Sequence, residues 1–333
     1  MFNNKRILVT GGTGSFGKRF SQVILSKYKV KKLVIFSRDE MKQWNMANQF
    51  SKYKNIEYII GDVRDKDSLN KALKSIDYVI HAAATKIVPT AEYNPFECIK
   101  TNINGATNVI DACIENKVKK VIALSTDKAS NPINLYGATK LASDKLFISA
   151  NLIDNKDKTK LSVVRYGNVM GSRGSIIPFF LSLNKPKYMP ITDKNMTRFM
   201  ISLEQAVDLV IFAFKDMVGG EIYVKKIPSM KIVDIAKTIS PTTKLKIIGI
   251  RPGEKIHEQM IGLEDALSTY EYKDYYKILP TINNWHQDKK RIKNGKLVSK
   301  RFSYNSLENN KWMSTKQLKS NLHLIISRLD EEK

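Results

Sequence analysis

The chain has 333 residues, 42% of them hydrophobic, and a formal net charge of +24. This length and composition allow one large core or two linked cores, and they exclude an intrinsically disordered chain. Apolar runs are only a few residues long, far short of the ~18 residues that a membrane span needs, and the first residues lack the apolar segment of a secretory signal. We therefore expect a cytoplasmic protein without a membrane span.

The basic residues are scattered singly and in pairs along the whole chain. We interpret them as a solvated surface that attracts small anions, and we expect no nucleic-acid partner. The two cysteines, Cys98 and Cys113, cannot form a disulfide framework, and the four histidines show no ligand spacing. We therefore expect free thiols and no metal site.

Short apolar segments alternate with longer helical patterns in the first half of the chain. Six segments are predicted to be strands: residues 6–10, 32–36, 57–60, 78–81, 120–125 and 162–165. Such alternation predicts a parallel sheet covered by helices on both faces. From about Asn168 onward, glycines and prolines interrupt the pattern, and helices are predicted at 203–214 and 230–239. This change indicates a second, smaller lobe, with Trp285 and Trp312 anchoring the basic C-terminal segment.

A glycine-rich segment follows the first predicted strand and leads into a predicted helix. Gly11 allows a tight turn, Gly14 lets the backbone approach a pyrophosphate, and Gly17 lets the helix pack on the strand. The flanking strand and helix favour a dinucleotide site over an ordinary turn. The sequence therefore predicts an α/β fold with a Rossmann-like, doubly wound parallel sheet in residues 1–167. A smaller C-terminal α/β substrate-binding lobe occupies residues 168–333, and some of its segments return to the first domain.

The end of the second predicted strand bears on the choice of cofactor. Where a site selective for NAD usually has a carboxylate, this chain has Arg38, whose guanidinium can pair with a 2′-phosphate. This favours NADP, although the neighbouring Asp39 leaves open a surface ion pair. Asp62, after the third strand, is predicted to accept a hydrogen bond from adenine.

Tyr136 and Lys140 lie four residues apart, so on a helix they share one face. A phenol beside a fixed ammonium has a lowered pKa, and it can take a hydroxyl proton while hydride leaves the same carbon. The pair therefore predicts redox chemistry. Asp127 and Lys128 add a second acid and a second base, more than a simple dehydrogenase or epimerase needs. Taken without Tyr136, they would be interpreted as an ordinary ion pair at a strand end.

These motifs resemble the extended short-chain dehydrogenase/reductase family along the whole chain. Within it, four segments are similar to the inverting UDP-N-acetylglucosamine 4,6-dehydratases, which begin pseudaminic acid synthesis: Ser-Thr-Asp-Lys-Ala at 125–129, Ala-Glu-Tyr-Asn-Pro at 91–95, Gly-Ser-Arg-Gly-Ser at 171–175 and Arg-Pro-Gly-Glu-Lys at 251–255. Thr85 and Ile87 depart from that pattern, in which leucine and histidine are more familiar. The departure bears on substrate contacts and not on the chemistry, because Lys86 between them is present.

The resemblance implies a role for each catalytic residue. Tyr136 takes the proton of the sugar C4 hydroxyl as hydride passes to NADP, Lys140 holds the nicotinamide ribose, and Thr126 hydrogen-bonds the same hydroxyl. Lys128 is the implied base at C5 and Asp127 the implied acid at the C6 hydroxyl. Hydride then returns to C6, so NADP is recycled and stays bound, and the product is UDP-2-acetamido-2,6-dideoxy-β-L-arabino-hex-4-ulose. A lysine base needs a pKa reduced to about 7–8, and an aspartic acid donor needs a raised pKa.

The residues expected to bind ligands fall into two groups. The predicted cofactor contacts are Gly11, Thr13, Gly14, Ser15, Phe16, Gly17, Arg38, Asp39, Asp62, Val63, Ala82, Ala83, Ala84, Lys86, Thr101, Asn102, Tyr136 and Lys140. The predicted contacts of the substrate UDP-N-acetylglucosamine are Lys86, Asn168, Arg173, Ile176, Ile177, Pro178, Phe179, Thr192, Arg198, Arg251 and Glu254. The resemblance also implies a homo-oligomer, either a hexamer or a dimer.

Two other functions remain open on the sequence. A nucleotide-sugar epimerase would need Tyr136 and Lys140 but no second acid and base. A non-catalytic NADP-sensing protein would use the positive surface to bind nucleic acid, and it would have no need for all four of these side chains together.

Overall fold

A central ten-stranded sheet organises the protein, whose computed structural model describes residues 1–153, 159–183 and 186–331. The strands within these ranges are β1 Arg6–Thr10, β2 Lys32–Ser37, β3 Ile56–Ile60, β4 Tyr78–His81, β5 Lys120–Thr126, β6 Lys160–Tyr166, β7 Asn168–Val169, β8 Tyr188–Ile191, β9 Thr197–Ile201, β10 Ile222–Lys225, β11 Ser229–Lys231, β12 Lys244–Ile247, β13 Gln259–Ile261, β14 Thr269–Glu271, β15 Tyr275–Ile278, β16 Lys296–Leu297 and β17 Tyr304–Asn305.

Helices cover the sheet and also contribute to the C-terminal half of the structure. They are α1 Ser15–Lys27, α2 Glu40–Gln49, α3 Lys66–Ala72, α4 Val88–Tyr93, α5 Pro95–Ile99, α6 Gly105–Glu115, α7 Leu135–Ser149, α8 Ile176–Ser182, α9 Leu203–Asp216, α10 Ile232–Ile239, α11 Lys289–Ile292 and α12 Thr315–Glu331. A π-helical turn at Lys100–Asn104 joins α5 to α6, and a 3₁₀ turn at Asp127–Ala129 follows β5. Of the helices in the described ranges, none combines the length and apolar character needed to cross a membrane.

The large sheet has the strand order β16-β14-β15-β10-β6-β5-β4-β1-β2-β3. Neighbours from β3 to β10 are parallel, whereas β15, β14 and β16 add an antiparallel edge. The chain moves outward from β1 on one side and from β4 on the other, so the order reverses between these two strands. A doubly wound sheet binds ligands in the crevice beyond the carboxyl ends of its strands at this reversal. The predicted fold class is confirmed.

The inner strands are apolar on both faces because helices cover both. Ile7, Leu8 and Val9 of β1 are 0% exposed, as are Leu33 and Ile35 of β2. Such continuous apolar runs are typical of parallel strands buried on two sides. All six predicted strands are found with their ends displaced by at most two residues. The helix predicted at 230–239 begins later, at Ile232, because Ser229–Lys231 pairs with β9 as a strand.

A second apolar core lies in the C-terminal half of the chain. It packs α8, α10 and α12 around β8 and β9, with Met189, Met200 and Met230 buried among them. Of the two predicted anchors, Trp285 packs on Arg291 with 4.3 Å between the guanidinium carbon and the ring centroid. Trp312 is 43% exposed and bridges to Ser229 through its backbone, and the anchoring role of its ring stays a prediction. The division predicted between residues 167 and 168 stays a prediction.

Candidate active site

A cavity of about 1340 Å³ opens at the carboxyl ends of the parallel strands, beside the reversal between β1 and β4. Its walls come from the loops after β1 to β6 and from two C-terminal segments, residues 172–176 and 251–255. All five predicted catalytic residues lie in this lining. So do all predicted cofactor and substrate residues except three: Asn102, Ile177 and Pro178.

Asn102 and Ile177 are buried behind the residues that line the cavity. The amide of Asn102 donates to the carbonyl of Thr85 at 2.9 Å and accepts from its N–H at 2.8 Å, so it holds the loop that carries Lys86. Ile177 is 1% exposed and belongs to the second apolar core. Their predicted ligand contacts stay predictions.

The glycine-rich loop brings backbone to the floor of the cavity. Gly11 adopts φ +62, and a Cβ there would lie 2.9 Å from Cα of Ala83. A Cβ on Gly17 would come within 2.3 Å of the carbonyl oxygen of Gly12, so only glycine lets α1 pack this closely. The N-terminus of α1 lines the cavity, which suits the phosphates of a dinucleotide.

The predicted adenosine end of the cavity carries two cations and two carboxylates. The Arg38 side chain is 58% exposed, and its Nη1 lies 3.5 Å from Oδ2 of Asp62. The Asp39 carboxylate instead caps α2, accepting from the N–H of Lys42 at 2.9 Å and from its ammonium at 2.5 Å. Asp62 itself accepts from the guanidinium of Arg64 at 2.8 Å. Arg38 and Lys42 are therefore the cations that face this end.

Helix α7 positions the predicted redox pair. Its N-terminus is capped by Asn134, whose Oδ1 accepts from the N–H of Gly137 at 2.7 Å. Tyr136 and Lys140 are both buried on the inward face, as the spacing predicts. Burial raises the pKa of Tyr136 to about 12, opposed by the Lys128 ammonium and a hydrogen bond with Thr126. Burial lowers the pKa of Lys140, opposed by the charge of Asp144 one turn further on. The lowered pKa expected for Tyr136 is therefore not found, and the cation that bears most on the phenol in this structure is Lys128 and not Lys140.

The 3₁₀ turn after β5 holds the predicted acid and base. Asp127 is 0% exposed, and its Oδ1 accepts from Nζ of Lys128 at 3.1 Å and from Oγ1 of Thr126 at 3.0 Å. Burial raises the pKa of Asp127, reinforced by the negative charge of Glu258. This direction suits a proton donor.

Glu258, which no sequence motif indicated, completes this cluster. It is 1% exposed, and its Oε1 lies 3.0 Å from Nζ of Lys128. Burial would lower the pKa of Lys128, but the carboxylates of Asp127 and Glu258 outweigh burial and raise it. The reduced pKa expected for a lysine base is therefore not found in this structure. Glu258 lies 130 residues from Lys128 along the chain, so no local spacing pointed to it.

The arginines expected at the substrate diphosphate lie in three different settings. Arg198 is 5% exposed, and its guanidinium donates to the carbonyls of Thr197 and Ile256. Arg251 is exposed and pairs with Glu254 at 2.8 Å. The guanidinium of Arg173 donates to the carbonyl of Thr13 in the glycine-rich loop at 2.7 Å. Arg173 therefore reaches across the cavity to the cofactor side.

Comparisons with known proteins agree with this geometry. Residues 7–280 match the family described as polysaccharide biosynthesis protein. The chain is 57% identical over 325 residues to the UDP-N-acetylglucosamine 4,6-dehydratase (inverting) of Campylobacter jejuni serotype O:2, a match covering 96% of this chain and 97% of the relative. It is 40% identical to the UDP-glucose 4-epimerase of Rickettsia akari, covering 100% and 99% of the two chains. The solved structure of Pen from Bacillus thuringiensis matches with a TM-score of 0.88 and 38% identity, covering 97% of this chain and 98% of that one.

A doubly wound sheet, a glycine-rich loop and a buried Tyr–Lys pair on one helix together define a short-chain dehydrogenase/reductase fold of the extended type. The chain belongs to the polysaccharide biosynthesis protein family. The predicted resemblance to the inverting UDP-N-acetylglucosamine 4,6-dehydratases is confirmed.

Proposed function

We propose that this protein removes water from UDP-N-acetylglucosamine across C5 and C6, with inversion at C5, using NADP that is recycled within each turnover. The observation that carries the proposal is the ion pair of buried Asp127 and half-buried Lys128 beside Tyr136 in one cavity. An epimerase has no step for this acid and base. The name of the Campylobacter jejuni relative, at 57% identity, supports the same chemistry.

NADP is favoured over NAD by the residues at the adenosine end. Arg38 and Lys42 offer two cations, and a 2′-phosphate pairs well with a guanidinium. The Asp39 carboxylate is engaged at the N-terminus of α2, which leaves it poorly placed to hold a ribose 2′-hydroxyl. The cradle left by Gly11 and the open N-terminus of α1 fit the pyrophosphate.

A bound nicotinamide would supply the hydride acceptor for C4 and the hydride donor for C6. Tyr136 takes the C4 hydroxyl proton, and the hydroxyl of Thr126 orients the reacting group. A phenol with its pKa raised to about 12 needs positive charge nearby to act at neutral pH, and Lys128 supplies it. Burial lowers the pKa of Lys140, and the charge of Asp144 opposes that shift.

The elimination step is assigned to the 3₁₀ turn after β5. The 4-keto group acidifies the C5 proton, Lys128 removes it, and Asp127 protonates the leaving C6 hydroxyl. The Oδ2 atom of Asp127 is buried and has no protein hydrogen-bond partner among the described residues, so it can carry the proton that is donated. Burial raises the pKa of this carboxyl, because the charged form is costly there.

The C-terminal half supplies the remaining contacts. Phe179, 48% exposed at the cavity wall, offers a ring to the uracil. Arg251 and Glu254 line the cavity and are assigned to the diphosphate and the uridine ribose. Arg173 bridges to the glycine-rich loop, which favours slow release of the cofactor. A cytoplasmic homo-oligomer serving pseudaminic acid-type nucleotide-sugar synthesis is part of the same proposal.

The rival function is 4-epimerisation, which is favoured by the 40% identity to the Rickettsia akari epimerase.

To distinguish the two functions, the purified protein is incubated with UDP-N-acetylglucosamine without added cofactor, and the masses of the separated products are measured by mass spectrometry. Dehydration gives a product lighter by one water. A product of unchanged mass that is the C4 epimer would support the rival, and unaltered substrate after NADP is supplied would refute both.

A further inference from the structure

Glu258 is a buried carboxylate with no part in the steps described so far. It lies just before β13, in contact with the turn that follows β5, and its Oε1 is 3.0 Å from Nζ of Lys128. The same Nζ is 3.1 Å from Oδ1 of Asp127. One ammonium therefore lies between two carboxylates, each at most 1% exposed.

The surrounding charges leave Lys128 as the nearest cation of Glu258. Arg198 is next, with Nε 3.7 Å from Oε1 of Glu258, but its guanidinium already donates to three backbone carbonyls. The ammonium of Lys255 donates to the carbonyl of Ser130 at 2.7 Å. Three other titratable groups lie nearby: Glu254, Tyr136 and His257. Glu254 lies 3.7 Å from Arg198, the pKa of Tyr136 responds to Lys128, and the ring of His257 is hydrogen-bonded to the Thr197 hydroxyl.

The second oxygen of Glu258 has room for a proton. Oε2 is buried and, among the described residues, has no hydrogen-bond partner. A buried unpaired carboxylate oxygen costs free energy unless the site uses it. The pKa of Glu258 is nonetheless lowered, because the charges of Lys128 and Arg198 outweigh its burial. In the resting site Glu258 is therefore the carboxylate that carries the negative charge.

We propose that Glu258 is a positioning residue that acts through Lys128: it holds the lysine as an ammonium in the resting site and accepts a proton from it as Lys128 removes the proton at C5. The inference rests on the proposed dehydration. It also explains how Asp127 can be an acid beside the Lys128 ammonium, which by itself favours the charged form of Asp127. With Glu258 neutralising the ammonium, Asp127 is free to stay protonated as the acid.

The proton transfers balance. One N–H bond of Lys128 breaks as its proton moves to Glu258, and the nitrogen lone pair forms a new N–H bond with the proton from C5. The electron pair of the C5–H bond enters the 4-keto group and then expels the C6 hydroxyl, which takes the Asp127 proton and leaves as water. Lys128 ends as an ammonium, Glu258 as a carboxylic acid and Asp127 as a carboxylate, so the net charge of the cluster is unchanged.

The test separates cofactor reduction from C5 chemistry in Glu258→Gln, which keeps an oxygen acceptor for Lys128 but removes the charge. The holoenzyme is mixed with UDP-N-acetylglucosamine in heavy water. Near-ultraviolet absorbance follows the reduced nicotinamide, and proton NMR follows deuterium at C5. We expect cofactor reduction within about threefold of the wild type and C5 exchange slowed about 100-fold, the scale of general acid–base catalysis. Reduced cofactor should therefore accumulate.

Glu258→Asp keeps the charge on a shorter side chain, and it should recover C5 exchange at least about tenfold over the glutamine variant. If the glutamine variant does not fold, the aspartate variant carries the test, with slowed C5 exchange and unchanged cofactor reduction as the supporting result. The control is Glu271→Gln, which removes an exposed carboxylate paired with Lys226 outside the cavity.

Three outcomes would overturn these assignments. C5 exchange that stays at the wild-type rate would refute the role of Glu258. Cofactor reduction and C5 exchange that fall together would indicate a purely structural role and would also refute it. A wild-type enzyme that never reduces its cofactor with this substrate would instead refute the proposed function.

Discussion

Replacing Asp127 by asparagine removes the proposed acid with little change in shape. The asparagine side chain keeps an oxygen that can accept from Lys128, as Oδ1 of Asp127 does at 3.1 Å, and Glu258 still pairs with the ammonium at 3.0 Å. A positioned general acid contributes about 10²–10⁴-fold to a rate. At about 1.4 kcal/mol per tenfold, its loss raises the elimination barrier by roughly 3–5 kcal/mol.

The earlier step should survive this change. A carboxylate at Asp127 raises the pKa of Tyr136, so a neutral amide in its place does not hinder the phenol from taking the C4 proton. Rapid mixing with UDP-N-acetylglucosamine should therefore show reduced cofactor forming at about the normal rate and then persisting, while release of dehydrated product slows by about 10²–10⁴-fold. Asp111→Asn, which removes an exposed carboxylate near Lys66, is the control. Dehydration at the wild-type rate in Asp127→Asn would refute the assignment of the acid.

Three further predictions concern the cofactor and the response to pH. Arg38→Ser should weaken binding of NADP relative to NAD by about 10–100-fold, because a hydrogen bond to a charged group contributes ~1.5–3 kcal/mol; competition between the two dinucleotides measures this, and an unchanged ratio would contradict it. Arg173→Ala loses the bond to the Thr13 carbonyl and should release cofactor about tenfold faster, as judged by the cofactor retained through dialysis. Burial and then the charge of Lys140 lower the pKa of His81 from 6.5 to about 3. The unfolded chain therefore binds a proton at His81 between these values while the folded protein does not, and the unfolding free energy falls by up to about 1.4 kcal/mol per pH unit as the pH drops through that window. His81→Asn should flatten this slope in urea titrations, and an unaltered slope would show that other groups dominate.

Much of the fold follows from local patterns in the chain. The strands that pair with β1 are apolar on both faces, so a short stretch of sequence is enough to predict them. The glycines of the loop after β1 mark the point where the strand order reverses. The predicted start of the helix at 230–239 was wrong because an apolar residue such as Met230 fits a buried helix and a buried strand equally well. Its place in β11 is decided by pairing with Arg198 on β9, a contact that sequence periodicity does not contain.

In the candidate site, too, local spacing predicted some residues, whereas others are brought together only by the fold. Tyr136 and Lys140 are one helical turn apart, and Asp127 and Lys128 are adjacent, so their spacing was enough to group them. Glu258 was missed because only the folded chain brings it to Lys128. The protonation state of Lys128 was missed for the same reason, since it depends on both carboxylates and not on Asp127 alone.

Proton NMR of UDP-N-acetylglucosamine turned over by this protein in heavy water is the decisive experiment for the proposed dehydration. We expect a 4-keto-6-deoxy sugar with the L-arabino configuration and deuterium at C5, formed without added cofactor. A product that keeps its C6 hydroxyl, or one that keeps the original configuration at C5, would contradict the proposed reaction.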